Sequence, residues 1–190
     1  MSASASAAFT PEALNASGNI CCLVDSGYRI RFCNQAWDCF ALENGGASCL
    51  TPGILGRSLF DAIPAALVPY YMRAFDAAQS SGLPFEVDYE CSGPETYRLF
   101  RMQIFPLAPP EGYAVVHSLR VERPRDDPGA EPGEIYRGAE GIITMCAHCR
   151  RTRRATEPNV WDWVPEYLRS NTLRVSHGLC PPCRRHFYGD

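Results

Sequence analysis

The sequence predicts an α+β fold built on an antiparallel sheet with flanking helices, followed by a small four-cysteine metal-binding module. Three observations carry this. Strand-like and helix-like patterns are segregated: two strands, then several short helices, then three strands. A stretch rich in Pro, Gly and charge, Glu122 to Gly133 (ERPRDDPGAEPG), then interrupts all periodicity. Beyond it stand two Cys-x-x-Cys pairs with 30 residues between them.

The elements follow in order. Ile20 to Val24 is a short apolar run ended by Asp25-Ser26-Gly27, a turn signal. Tyr28 to Phe32 alternates apolar residues with Arg29 and Arg31, so the two runs read as a hairpin. Asn34 stands where a helix N-cap belongs, ahead of a helix over Gln35 to Leu42 that Asn44-Gly45-Gly46 breaks. A short helical stretch, Ser58 to Ile63, stops at Pro64. A longer helix is predicted from Ala65 to about Gln79, with Leu67, Tyr70, Tyr71, Phe75 and Ala78 near one face, ended by Ser80-Ser81-Gly82. Three strands close the body: Phe85 to Cys91, Tyr97 to Pro106 and Tyr113 to Val121. Their turns are Ser92-Gly93-Pro94 and Pro109-Pro110-Glu111-Gly112.

Composition narrows the function classes. Of 190 residues, 46% are hydrophobic and 21% charged, which excludes a disordered chain. No apolar run approaches the roughly 18–20 residues of a membrane span. The Ser/Ala-rich start, Met1 to Ala8, has neither the charge nor the following apolar run of an export signal, so the expected compartment is the cytoplasm and the ten Cys are expected as reduced thiols or metal ligands. All 18 basic residues are Arg. Residues 1–140 hold 10 Arg against 17 acids and residues 141–190 hold 8 Arg against 4, so an acidic body carries a basic tail.

The body resembles the PAS sensor domain. The stretch Val24-Asp25-Ser26-Gly27-Tyr28-Arg29-Ile30 with Asn34 is similar to that family's opening hairpin and helix cap. Ile54-Leu55-Gly56-Arg57-Ser58-Leu59-Phe60 is similar to its central "LGR" stretch, and Pro106 fits after the second long strand. The resemblance covers residues 12–123. It implies a five-stranded antiparallel sheet cupping a small pocket, with sensing and dimerisation as the usual roles. The reactive cysteine of the family's flavin branch has no counterpart in Ser58, Leu59 and Phe60 after Arg57. A haem would need an axial ligand, and His117, the single body His, sits on a strand where a hydrogen-bonded core or surface role is the simpler reading. The pocket ligand is left unknown. Cys21, Cys22, Cys33, Cys39, Cys49 and Cys91 read as small buried hydrophobes.

The tail carries the sharpest chemistry. A Cys-x-x-Cys turn places two thiolates on one side of the backbone, and two such turns facing each other close a tetrahedral four-sulfur site suited to zinc, with iron the less favoured alternative. The predicted ligands are Cys146, Cys149, Cys180 and Cys183; His148 and His177 are alternatives that would leave a cysteine spare. The long insert needs structure of its own, and Val160, Trp161, Val164, Tyr167 and Leu168 fall at helical spacing, interrupted by Pro165. Nearby Arg150, Arg151, Arg153, Arg154, Arg184 and Arg185 would offset the thiolate charge. The ordered set Cys146-Ala147-His148-Cys149-Arg150-Arg151-Thr152-Arg153, Trp161, Tyr167, Val175-Ser176-His177-Gly178-Leu179-Cys180-Pro181-Pro182-Cys183 and Tyr188 resembles a C-terminal module of bacterial signalling proteins.

The expected organisation is a flexible N-terminus over 1–11, a PAS-like sensor domain over 12–123, a linker over 124–136 and the four-cysteine zinc module over 137–190. The expected function is a non-catalytic bacterial sensory or regulatory protein. It would act as a homodimer, with Phe9, Leu14 and Ile20 supplying apolar contacts, and its output would pass to a protein partner. No carboxylate pair or nucleophile–base pair stands out, so no catalytic residue is expected, and a closed four-sulfur site leaves no position for water. Two other readings are a nucleic-acid-binding regulator using the Arg pairs, and a redox sensor acting through the metal-bound cysteines.

Overall fold

The structure, a computed structural model, describes residues 9–108, 112–170 and 172–189. The expected mobile start therefore lies outside the described residues over 1–8, as does the Pro109-Pro110-Glu111 part of the last body turn.

The chain forms two compact units. One comprises Met1–Ile63, Tyr71–Asp88 and Phe100–Arg120; the other comprises Pro64–Tyr70, Tyr89–Leu99 and Val121–Asp190. The α+β expectation holds. A five-stranded antiparallel sheet has the order β2-β1-β5-β4-β3, from β1 (Ile20–Val24), β2 (Ile30–Cys33), β3 (Phe85–Glu90), β4 (Thr96–Pro106) and β5 (Tyr113–Pro124). Helices α1 (Pro11–Ala16), α2 (Gln35–Glu43) and α3 (Val68–Ser81) flank it. β1 sits centrally because both neighbours pair with it: Cys22 lies opposite Cys33 on one side and Val115 on the other. Its residues Cys21, Cys22 and Val24 are fully buried.

Two boundaries differ from the sequence reading, each for a local reason. The second hairpin strand begins at Ile30, not Tyr28. Tyr28 takes a left-handed backbone (φ +61°) and closes the Asp25 turn by donating its N–H to the Asp25 carbonyl. That strained geometry is held by packing: the Tyr28 ring lies 5.0 Å from Phe60, 5.2 Å from Phe75 and 5.9 Å from Tyr113. The long helix begins at Val68, not Ala65, which places Pro69 in the first turn, where its missing N–H costs nothing. Tyr71, Ala74, Phe75 and Ala78 form its buried stripe.

The return of β4 into β5 depends on Gly112. Its φ is +97°, and a Cβ there would collide with the Val24 carbonyl oxygen and the Asp25 backbone, so no other residue fits.

The second unit holds a four-stranded sheet of order β8-β7-β6-β9: β6 (Ile143–Cys146), β7 (Thr152–Arg153), β8 (Trp161–Asp162) and β9 (Val175–Gly178). Its core is Tyr136, Ile143, Met145, Val164 and Tyr167. Tyr136 and Tyr167 meet edge to face at 5.9 Å, and each buried hydroxyl finds a partner, Asp162 for Tyr136 and Gly133 for Tyr167. The Pro- and charge-rich stretch is tied into this unit: the Ala130 N–H donates to the Trp163 carbonyl, and Arg125 stacks on the Trp163 ring at 3.8 Å.

The helical reading of Val160 to Leu168 is corrected. Trp161 and Asp162 form β8, paired with Arg153 and Thr152, and helix α4 covers only Glu166–Arg169. Pro165 accounts for this. Its ring would clash with the Trp161 carbonyl in a continuous helix, and it pushes Val164 out of helical geometry, so a helix can start only after it.

Candidate metal centre

The cysteine site grows out of a parallel strand pair. β6 and β9 run side by side in register, with Met145 opposite His177 and Cys146 opposite Gly178. Parallel pairing puts the C-terminal ends of both strands at one end of the sheet. Each strand then runs directly into a Cys-x-x-Cys segment, so two stretches 30 residues apart in sequence arrive together.

The two knuckles differ. The first is a turn: the Cys146 N–H donates to the Arg151 carbonyl at 2.7 Å, the Arg150 N–H returns to the Cys146 carbonyl, and Arg150 takes a left-handed φ of +64°. The Ala147 N–H donates to the Gly178 carbonyl and locks the turn to the end of β9. The second knuckle is a helix start. Cys180 is the N-cap of α5 (Pro181–Tyr188), and Pro181 and Pro182 occupy the first two helical positions. The sequence reading makes this segment a turn; the Pro pair is the signal for a helix.

All four sulfurs lie within 4.8 Å of one another, with Cys149 and Cys180 at 3.6 Å, and all four residues are buried. Four Zn–S bonds of about 2.3 Å arranged tetrahedrally set sulfur–sulfur edges of about 3.8 Å. The donor set therefore fits a soft, four-coordinate ion. The four thiols hydrogen-bond one another and the Cys180 backbone N–H points at Cys146 Sγ, so a proton lost from any one of them leaves a thiolate held by its neighbours. Trp161 and Leu179 pack against the cluster and cover it.

The alternative histidines separate. His148 Nδ1 lies 3.2 Å from Cys183 Sγ, and its Nε2 accepts the Glu90 backbone N–H at 2.8 Å. It supports a sulfur ligand and stands outside the four-sulfur group. His177 is exposed on β9 opposite Met145. Among the arginines expected as counter-charge, Arg151 hydrogen-bonds Cys149. Arg154 instead pairs with Asp162 at 2.7 Å and Glu157 at 3.0 Å.

In the other unit, a cavity of about 270 Å³ is lined by Ile30, Trp37, Cys49, Ile54, Arg57 and Asp61, among others. Apolar walls with one cation and one carboxylate suit a small amphiphilic molecule. Of the body cysteines, Cys21, Cys22 and Cys33 are buried as expected. Burial pushes the Cys33 thiol up to about 12 and Cys22 higher still, so both stay protonated and unreactive. Cys39 departs from the expectation: it is exposed on α2. Leu14, expected to face a partner, is 3% exposed and packs on Cys21 and Val116. Among the described residues no helix is long and apolar enough to cross a membrane.

No protein-family model and no curated protein matches the chain. Solved structures similar to it include the photoactive yellow protein domain of the sensor histidine kinase Ppr from Rhodospirillum centenum, at 14% identity and a TM-score of 0.42 over 62% of this chain and 99% of that one. A PAS domain of a protein from Colwellia psychrerythraea is similar at 8% identity and a TM-score of 0.44, over 57% and 92%. The PAS domain of nitrogen regulation protein NR(II) from Vibrio parahaemolyticus is similar at 16% identity and a TM-score of 0.33, over 58% and 94%.

Proposed function

We propose that the chain is a non-catalytic sensory or regulatory protein: a PAS-like body over 12–123 that takes up a small molecule or a protein surface, joined to a structural zinc module over 137–190. Cys146, Cys149, Cys180 and Cys183 hold the zinc. The observation that carries the reading is the four-sulfur group itself, buried and within 4.8 Å, built by two knuckles leaving the same end of paired parallel strands. Four cysteines fill a tetrahedron and leave no site for a reacting water, so the metal stabilises the unit rather than performing chemistry. The body's motifs and its five-stranded sheet support the sensory part, and the 270 Å³ cavity is the place for a ligand. In this reading the protein works in the cytoplasm of a bacterium, pairs with a second copy and passes its output to a protein partner.

Elemental analysis of the full chain, purified reduced and without a metal-binding tag, tests the core of the proposal. One zinc per chain is expected, lost in Cys146→Ser and Cys180→Ser. Iron would shift the reading to redox or gas sensing. Neither metal in fully reduced protein would overturn it.

A further inference from the structure

Strand alternation sorts the charges around the metal centre onto two faces. On β7 and β8, Thr152 lies opposite Asp162 and Arg153 opposite Trp161. Arg154 therefore shares a face with Asp162 and is neutralised there, with Glu157 as its second partner. Arg153 and Trp161 share the other face. That face opens onto a groove of about 580 Å³, completed by the Cys180–Tyr188 segment, with Arg153, Asn159, Trp161, Pro181, Arg184 and Arg185 among its lining. None of the lining residues among the described ones is acidic. Among the described residues, Arg153, Arg184 and Arg185 have no carboxylate partner; Arg153 makes one long hydrogen bond, 3.4 Å, to Thr144 Oγ1.

We propose that this groove binds single-stranded nucleic acid, its phosphates on Arg153, Arg184 and Arg185 and a base against Trp161. Three guanidiniums around one groove call for more than one anion, and a strand supplies a phosphate at every nucleotide. The Trp161 indole gives a ring face of the kind on which bases stack regardless of sequence. Its Nε1–H donates to the Pro158 carbonyl at 3.2 Å, which fixes the ring before any ligand arrives. Asn159 adds a polar edge beside it. The inference goes beyond the sensory reading and does not depend on it.

Fluorescence anisotropy of a short labelled oligothymidylate with the full, zinc-loaded chain tests it. Three phosphate contacts on a single strand predict a log–log salt slope of about 2, a loss of roughly 20-fold in affinity between about 50 and 200 mM salt. Arg184→Ala/Arg185→Ala should weaken binding at low salt by at least about ten-fold and flatten the slope to below about 1. Both side chains are exposed, so zinc content and melting temperature should stay at the wild-type values. Arg153→Gln should act in the same direction. Arg169→Ala, a surface arginine paired with Glu166 and Glu95, should change nothing. The proposal is overturned by absence of binding at low salt, by equal binding in the groove variants, or by full competition from polyglutamate, which would make the groove a site for an acidic protein. Competition by thymidine monophosphate at equal concentration would also overturn it, assigning the groove to a free nucleotide.

Discussion

The backbone N–H of Glu90, at the end of β3, donates to Nε2 of His148 at 2.8 Å, within one compact unit. That bond fixes the ring's tautomer. With Nε2 accepting, the ring proton sits on Nδ1, which points at Cys183 Sγ 3.2 Å away. An N–H···S bond draws charge from a metal-bound thiolate and slows its loss as a protonated or oxidised leaving group. His148→Ala should therefore surrender zinc to a chromogenic chelator at least about ten-fold faster than wild type. His148→Asn keeps a donor near the Nδ1 position and should recover part of the difference. Equal release rates in all three proteins would show that the contact is packing alone.

Asn34 is the polar centre of the first unit. It is fully buried and all its hydrogen-bonding capacity is used: Oδ1 accepts from the N–H groups of Cys21 and Trp37, and Nδ2 donates to the carbonyls of Leu14 and Asn19. One side chain thus caps α2 and ties β1 and α1 to it. Asn34→Ala removes four buried hydrogen bonds, although the Trp37 N–H keeps the Asn34 carbonyl and the Leu14 carbonyl keeps the Ser17 N–H, and should cost about 2–3 kcal/mol. Asn34→Asp keeps the acceptors but sets a carboxylate against two carbonyls, and should cost at least as much at neutral pH. In urea titrations the midpoint should fall with the slope unchanged. A loss below about 1 kcal/mol for the alanine variant would mean water replaces the amide.

The same residue shows how far the sequence could be read. Asn34 was legible as a helix cap because Ser, Thr, Asp and Asn before an apolar helix have one common use. Its other three bonds were not, since they depend on which segments the sheet brings near it. The candidate metal site divides in the same way. The cysteine spacing named the four sulfurs, because ligand geometry is local to each knuckle. The parallel pairing of β6 with β9 that joins the knuckles is a long-range contact with no sequence signature. Val160 to Leu168 misled for the opposite reason. Its 3.6-residue apolar period was real, but Trp161 packs on the cysteine cluster from a strand while Val164 and Tyr167 fill a separate core. There the local veto of Pro165 outweighed the period. Glu90 and His148, the pair that braces Cys183, could not have been linked from positions 58 residues apart.

Arg125 and Glu90 form an ion pair whose side chains are 11% and 14% exposed, and the guanidinium also covers the Trp163 ring at 3.8 Å. A pair this shielded behaves unlike a surface one. Removing one partner strands a charge, at a cost that reaches about 3–5 kcal/mol in fully buried pairs. Arg125→Ala should destabilise the second unit by about 2–4 kcal/mol, including the lost cation–π contact. Arg125→Lys should recover little, because an ammonium lacks the flat face that stacks on indole. Arg125→Met with Glu90→Gln should lose less than the single alanine change. A double-mutant cycle on the melting temperatures measures the coupling. A coupling near zero would place the pair in the solvent-screened class.

His117 makes the first unit sensitive to acid. It lies on β5 opposite Ile20, and burial holds its imidazole down at about 4, well below the ordinary 6.5. The folded state therefore resists protonation while the unfolded chain accepts it. Between about pH 6.5 and pH 4 the unfolded state binds more protons, so stability rises with pH across that window and is complete above it. A shift of this size corresponds at its acid limit to up to about 3 kcal/mol, reduced by the solvent that reaches the half-buried ring. His117→Gln removes the titration. Its urea midpoint, compared with that of wild type from about pH 7.5 down to 5, should change less steeply, the wild type losing stability relative to the variant as the pH falls. Because both proteins keep the four metal-site cysteines, acid release of the metal contributes equally and cancels in the difference. Parallel curves would show that the imidazole titrates in the folded protein much as it does in the unfolded chain.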